Sequence, residues 1–514
     1  MTVGRVDAEA PRSSRGIPGW PVVLIIAIGF VAQFFTWLEG DVAWLLTVAR
    51  RMNAGSVLYS RDLVEFNPPL VMQFSQIAVL MAGWLHVSTA LAWRVMVASF
   101  ASAAWLLSWR LLRDALVHES NDLRASYAVL LAAALACLPG LMFGQREHLV
   151  VLGFVPYLIA SGLRAAHVPI TRMRGAVVGI ALSLAVSIKP HYALAIPLVE
   201  LAVCRYQRTW RSLIRTDSVA GALSLLVVQG LAAIQFPGYL SFAVPLALNY
   251  YQAYGNVHVL PSYVVYLAGA VAALAVPGLP RHMAIQRTVF MLGATGAIGA
   301  YILQGQGWEY QFLPAQTFLI LVVGITGLPH LVGLLERMRP DTVSAPRTVV
   351  MWTWLACMVA AVAVATTVRT VRINRHERAR IVTNVRDTVQ RTWPPGRPHT
   401  MASMTLSLFP ASPVAELIGA EWASRFSCLW LLPGITEHER AVRAGTEQPK
   451  DGRAYLESAV VEDFARWRPT LVLVEREQPR VLDEILKASA FRDEWRHYRS
   501  AGVVESVEVF VREP

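Results

Sequence analysis

Residues Glu39–Leu70 read EGDVAWLLTVARRMNAGSVLYSRDLVEFNPPL and follow directly on an apolar run, Trp20–Leu38. Their order decides the fold class: a span, then the carboxylates Glu39 and Asp41 at the membrane surface, then an amphipathic segment. An ionisable group in that place is costly unless it binds a cation, pairs with a base or takes part in chemistry, so it marks a functional site by default. The plain alternative is helix capping, with Asp41 opening the amphipathic helix and accepting from its free N–H groups. The two roles are compatible.

Working outward, composition makes the chain a polytopic membrane protein. Of its 514 residues 55% are hydrophobic and only 16% are charged, with a mean hydropathy of +0.44, well above the balance of a soluble domain. The formal charge of +11 is spread over many short loops and forms no single basic stripe, which argues against nucleic acid as a partner. Trp20–Leu38 is too long for the apolar core of a cleavable signal and lacks a small-residue cleavage site, so it is expected to remain as an anchor. Cys137, Cys204 and Cys357 lie in or beside spans and Cys428 stands alone in the tail. No disulfide framework or metal spacing follows.

Apolar runs occupy 20–38, 91–112, 125–143, 149–164, 175–189, 190–205, 218–236, 259–279, 287–304, 313–335 and 348–369, about eleven crossings on the roughly twenty-residue criterion. The segment 69–86 is apolar too, but it carries Gln73 and Gln76 behind Pro68 and Pro69. Charge decides its place. With 69–86 lying along the outer surface, the arginines of 110–124, 164–174, 205–215, 281–287 and 337–347 join those of the N-terminal tail 1–19 on one side, which the positive-inside rule makes cytoplasmic. The loops with unusual chemistry then share the other side: 39–90, Gly144–His148 (GQREH), Lys189-Pro190-His191, Asn249–His258 and Gln304–Gln311 (QGQGWEYQ). For GQREH the ordinary reading is an Arg146–Glu147 pair, and for Lys189 it is snorkelling to headgroups. Glu200 is expected to pair with Arg205.

Past residue 370 the sequence turns charged and mixed. Helical patterns over 374–392, 411–421, 453–466 and 479–489 alternate with strand-like TMASMTLSLF, CLWLLP, TLVLVE and VESVEVFV. Residues 371–514 are therefore predicted to form a soluble α/β domain. An odd number of crossings puts it outside. It holds no Gly-rich phosphate loop.

Carboxylate after the first span, amphipathic helix, G-x-x-LY-x-RD-x-x-E-x-NPP and interfacial helix, in that order, resemble the integral-membrane GT-C glycosyltransferases. These include the lipid A aminoarabinose transferases and the protein O-mannosyltransferases. The likeness covers most of the membrane part (20–370) and extends to the second outward hairpin, the lysine between the fifth and sixth spans and the C-terminal domain. It implies a polyprenyl-phosphate sugar donor, membrane lipids as surroundings, and a lipid, glycan or protein acceptor. Relatives often carry an acid in the second outward loop, where Glu147 is the best match here and His148 the next. No Asp-x-Asp stands there, so the metal is left unassigned and a divalent cation is the one cofactor considered.

The chemistry of such a donor fits residues already singled out. A lipid tail needs an apolar groove and its phosphate needs cations at the membrane surface. Transfer to a hydroxyl needs a general base, for which Asp41 is the first candidate and Glu39 the second. Lys189, Arg146 and Arg94 are candidates to neutralise the leaving phosphate, since stabilising developing charge is commonly the largest catalytic effect. Trp308, Tyr310 and His258, with His148, His191 and Gln311 on the same loops, are candidates for the sugar or acceptor pocket; the ordinary alternative for the aromatics is an interfacial belt. Two other functions use similar groups. A secondary transporter would be expected to show inverted repeats and broken helices, and no repeat is found; an outer-face glycan ligase would share the phosphate-binding residues. The composition suits a bacterial inner membrane.

Overall fold

The computed structural model describes residues 19–255, 259–337, 347–476 and 481–513. Every apolar segment picked out above is helical. The helices are α1 (Trp20–Ala32), α2 (Gly40–Asn53), α3 (Pro69–Leu85), α4 (Thr89–Ala115), α5 (Asn121–Ala132), α6 (Arg146–Ala165) and α7 (Arg172–Ile188). After these come α8 (Ala195–Gln207), α9 (Thr216–Gln235), α10 (Val244–Tyr250), α11 (Pro261–Leu274), α12 (Arg281–Gln304), α13 (Leu313–Arg337) and α14 (Arg347–Arg375). Among the described residues five helices are individually long and apolar enough to cross a membrane, those at α4, α6, α9, α13 and α14. A sixth appears only if α1 and α2 count as one broken span, bent by 82°. The rest are shorter, or are interrupted as α5 is by the π-turn Ala133–Cys137, or, like the 24-residue α12, are diluted by polar residues such as Arg281 and Arg287.

The bend between α1 and α2 creates the corner on which Glu39 and Asp41 sit. After a last 3-10 turn at Gln33–Phe35 the chain runs extended through Thr36 and again at Glu39. Asp41 in the first turn of α2 and Arg50 and Arg51 in the last oppose the helix dipole at both ends. Pro69 at the first position of α3 suits a helix start, where no N–H is needed. At 17 residues α3 is shorter than the spans, and Trp84 near its end is exposed.

The centre of the bundle is α6. It is buried on nearly every residue and packs against α4, α7, α8, α12 and α13. In contrast α9 rides mainly on α7, with Leu223, Leu226 and Ile234 exposed. That crossing requires a glycine, because a Cβ on Gly179 would stand 2.0 Å from the Asp217 carbonyl oxygen.

The C-terminal domain holds a sheet of five strands in the order β2-β1-β3-β5-β4: β1 (Thr400–Met404), β2 (Glu421–Trp422), β3 (Leu471–Glu475), β4 (Tyr498–Val504) and β5 (Val507–Arg512). Strands β2, β1 and β3 are parallel, β5 runs antiparallel to β3, and the edge strand β4 runs antiparallel to β5. Its helices are α15 (Glu377–Thr392), α16 (Ala411–Ile418), α17 (Leu431–Arg443), α18 (Gly452–Trp467), α19 (Val481–Ile485) and α20 (Ser489–Trp495). Two expectations are corrected. CLWLLP is no strand; its second half opens α17, since a short apolar run suits a buried helix as well as a buried strand. VESVEVFV is no single strand either. It is the turn of the β4–β5 hairpin followed by β5, with Glu505 at φ 54.

This domain grips α2. Trp44 meets Trp422 edge to face at 5.8 Å, Arg50 reaches Glu416 at 2.5 Å, and Arg51 donates to the carbonyl of Ser424. The first loop is held as well, by Val64 N–H donating to Arg425 O at 2.9 Å and by an Arg466–Asp62 bridge at 2.8 Å.

Candidate functional site

The head of α2 is capped by Glu39, whose side chain accepts the Asp41 N–H at 2.8 Å. The capping role read for Asp41 thus belongs to its neighbour. Asp41 projects from the first turn with a half-buried carboxylate free for other partners. The Glu65 carboxylate, on the EFNPP stretch, is spent: one oxygen accepts from Phe66 N, Asn67 N and Asn67 Nδ2 at 2.7–2.9 Å and the other from the Trp44 indole. It locks the first loop onto α2.

Facing Asp41 is the GQREH turn. Gly144 has φ +83, and a Cβ there would lie 2.3 Å from the Trp93 indole nitrogen, so only glycine fits. Gln145 occupies the position before α6, which sets Arg146, Glu147 and His148 on its first turn. His148 is a fastener. Its Nδ1 accepts from Gly144 N–H at 3.1 Å, which leaves Nε2 to donate to Leu135 O at 2.8 Å. With both nitrogens used and no exposure, it does not line a sugar pocket.

The two charged neighbours reach in different directions. Arg146 Nη2 lies 3.0 Å from Asp41 Oδ1, and Glu147 Oε1 lies 3.0 Å from Lys189 Nζ. The Arg146–Glu147 pair and the snorkelling Lys189 are therefore both corrected. Lys189 is 8% exposed, at the end of α7, and also donates to Gln304 Oε1 at 3.0 Å. Gln145 ties the carboxylates together, its amide donating to Glu39 and, at 3.3 Å, to Asp41 Oδ2. Sequence reasoning passed over Gln145 and Gln304 because neutral amides carry no charge signal.

Buried donors remain unspent in this cluster. Arg146 is 3% exposed, and its Nε has no hydrogen-bond partner among the described residues. A buried polar group left unpaired costs about 1–3 kcal/mol, so a ligand bearing acceptor oxygens is favoured there. Arg146 also stands 6.0 Å from the centre of the Tyr310 ring. Tyr310 begins an aromatic wall that continues through Trp308 at 5.6 Å, Tyr251 at 6.0 Å from Trp308, and Trp430 of the C-terminal domain at 5.8 Å from Tyr251. Gln311 is turned into the fold, its carbonyl accepting from Tyr192 OH at 2.6 Å and its amide donating to Gln306 at 3.0 Å.

Other candidates lie apart. Arg94 donates to Thr36 O at 2.9 Å and leans on Phe34, bracing the corner after α1. His191 is exposed on the turn after Lys189, and His258 falls outside the described residues. Glu200 pairs with Arg215 at 2.5 Å and accepts from Tyr157 OH, not with Arg205. Among the described residues no group of three or more His, Cys, Asp or Glu side chains is disposed to hold a metal ion.

Burial, and next the Asp41 carboxylate, push the Glu39 carboxyl up to about 8. The corner thus carries a carboxyl that burial makes hold its proton more tightly, beside one paired with a guanidinium.

No protein-family model matches the sequence, and no curated protein matches it. The fold does match solved structures. ArnT from Cupriavidus metallidurans bound to undecaprenyl phosphate superposes with a TM-score of 0.55 at 14% identity, covering 96% of this chain and 98% of that one. The apo form of the same protein gives 0.55 at 13% identity, covering 96% and 97%. The chain shares its fold, along nearly its whole length, with these ArnT structures.

Proposed function

We propose that the chain is a membrane glycosyltransferase. It moves a sugar from a polyprenyl-phosphate donor to a hydroxyl of a lipid, glycan or protein acceptor on the outer face of a bacterial inner membrane. The observation that carries this reading is the pair of buried cations, Arg146 and Lys189, set beside Asp41 with donor capacity to spare. The ArnT structure with undecaprenyl phosphate supports the donor class. In this arrangement about eleven helical segments cross, the N-terminus is cytoplasmic and the C-terminal domain is outside.

The residues divide the work. The donor phosphate engages Arg146 and Lys189, which compensate its charge as the bond to the anomeric carbon breaks. Drawing Arg146 toward the phosphate releases the Asp41 carboxylate, which takes the proton of the acceptor hydroxyl as that oxygen bonds to the sugar. Polyprenyl phosphate leaves. Glu147, out of contact with solvent, serves by holding Lys189, and Trp308 and Tyr310 wall the sugar.

The test is turnover of a panel of undecaprenyl-phosphate monosaccharides by the purified protein in nanodiscs. Release of undecaprenyl phosphate with a one-sugar product supports the reading; transfer of whole glycans only, or accumulation of solute without bond cleavage, overturns it.

A further inference from the structure

A second cleft opens between the two halves of the molecule, away from Asp41. Ser60 and Arg61 of the first loop, Phe242, and Arg425, Tyr455 and Glu462 of the C-terminal domain form its walls. It encloses about 480 Å³, within the range of about 300–1,000 Å³ typical of small-ligand sites.

Its polar groups are held in place. Arg425 is 4% exposed, donates from Nε to Asp463 Oδ1 at 2.7 Å and from Nη2 to Glu462 Oε2 at 2.7 Å. Tyr455 OH is shut off from water beside that guanidinium and meets no hydrogen-bond partner of good geometry among the described residues. The Tyr455 ring packs edge to face on Phe242 at 6.1 Å, which joins the halves at the cleft floor. Arg61 and Ser458 are exposed at its rim.

The charges decide the ligand class. Arg61 and Arg425 are balanced by Glu462 and Asp463, so an anion gains little. Fixed guanidinium, carboxylate and hydroxyl groups beside two aromatic rings instead match a neutral polyol, which offers vicinal hydroxyls and apolar C–H faces. We propose that this cleft is a carbohydrate-binding subsite. Its place in the fold suggests a use. Arg51, which donates to Asp62 O and Ser424 O beside the cleft, is ten residues along α2 from Asp41, roughly 15 Å on helical geometry. The bound carbohydrate is a remote part of the acceptor, which is then an oligosaccharide or carries one. That assignment rests on the transferase reading; sugar binding itself does not.

Saturation-transfer NMR on the full-length protein in nanodiscs, with trisaccharides of glucose, galactose, mannose and arabinose as probes, tests both. At least one probe should bind. Ser458→Trp, which blocks the cleft from an exposed position, should raise its Kd at least tenfold. Asp41→Asn should leave binding unchanged. Binding of none of the four, binding indifferent to Ser458→Trp, or displacement by millimolar inorganic phosphate overturns the subsite. Sugar binding at the cleft in a protein that transfers no sugar would remove the acceptor role alone.

Discussion

Arg146 and Asp41 form an ion pair of 3.0 Å between the first turn of α6 and the first turn of α2, two helices brought together from opposite ends of more than a hundred residues. The pair makes each residue a control on the other, since an anion that attracts the guanidinium also unmasks the carboxylate.

Asp41→Asn should lower turnover per folded molecule by about 10²–10⁴, the usual cost of losing a general base. The Glu39 cap is untouched, so α2 keeps its start. Arg146 loses its partner, and a stability loss of about 1–3 kcal/mol is expected in denaturant unfolding. Wild-type turnover by this variant would refute the base assignment.

Lys189→Met should raise the donor concentration needed for half-maximal rate, but it also strands Glu147 in the interior at a cost of about 3–5 kcal/mol. The double variant Lys189→Met/Glu147→Leu separates the two effects. It should regain most of the stability while the donor dependence stays poor. Recovery of both would reduce Lys189 to a structural partner.

The raised Glu39 carboxyl gives a pH signature. A group that holds its proton more tightly folded than unfolded lends stability that is complete below its ordinary range and is lost as the pH rises to its folded value, here about 8. Melting temperatures from about pH 5 to 8 should therefore fall more steeply in wild type than in Glu39→Gln, and run parallel above that. Equal slopes would show that Glu39 does not titrate in this window.

Topology is open to labelling. Cys137, Cys204 and Cys428 are buried, so Cys357 is the native cysteine to replace first. Trp84→Cys on α3 should never react from the cytoplasmic side, and Glu457→Cys on α18 should react with an impermeant maleimide from outside. Reaction of Trp84→Cys from the cytoplasm alone would invert the arrangement.

How much of this was legible in the sequence differs by residue. Hydropathy located the long helices of the bundle, because lipid-length apolar runs admit few other structures, but it passed over α10, which is only seven residues long. Charge located Asp41, Arg146, Glu147 and Lys189 but not who pairs with whom, since Arg146 and Glu147 are adjacent in sequence yet leave the helix toward different neighbours. Glu39 rather than Asp41 caps α2 because the backbone is still extended at Glu39, which no composition rule reports. By its place on the GQREH loop His148 reads as a pocket residue. Its two hydrogen bonds to backbone go to Gly144 on its own turn and to Leu135 in a π-turn at 133–137 that sequence does not announce.

The clamp on α2 bears on how freely the two halves of this protein can be recombined. Cutting the chain near residue 370 would bare Trp44 and strip Arg50 and Arg51 of Glu416 and the Ser424 carbonyl, loosening the helix that aims Asp41. The membrane half is thus no self-sufficient engine with an interchangeable accessory. A chimaera that borrows another C-terminal domain would need to reproduce the Trp422 face and the backbone at 424–425, or its carboxylate would drift from Arg146 before any substrate arrived.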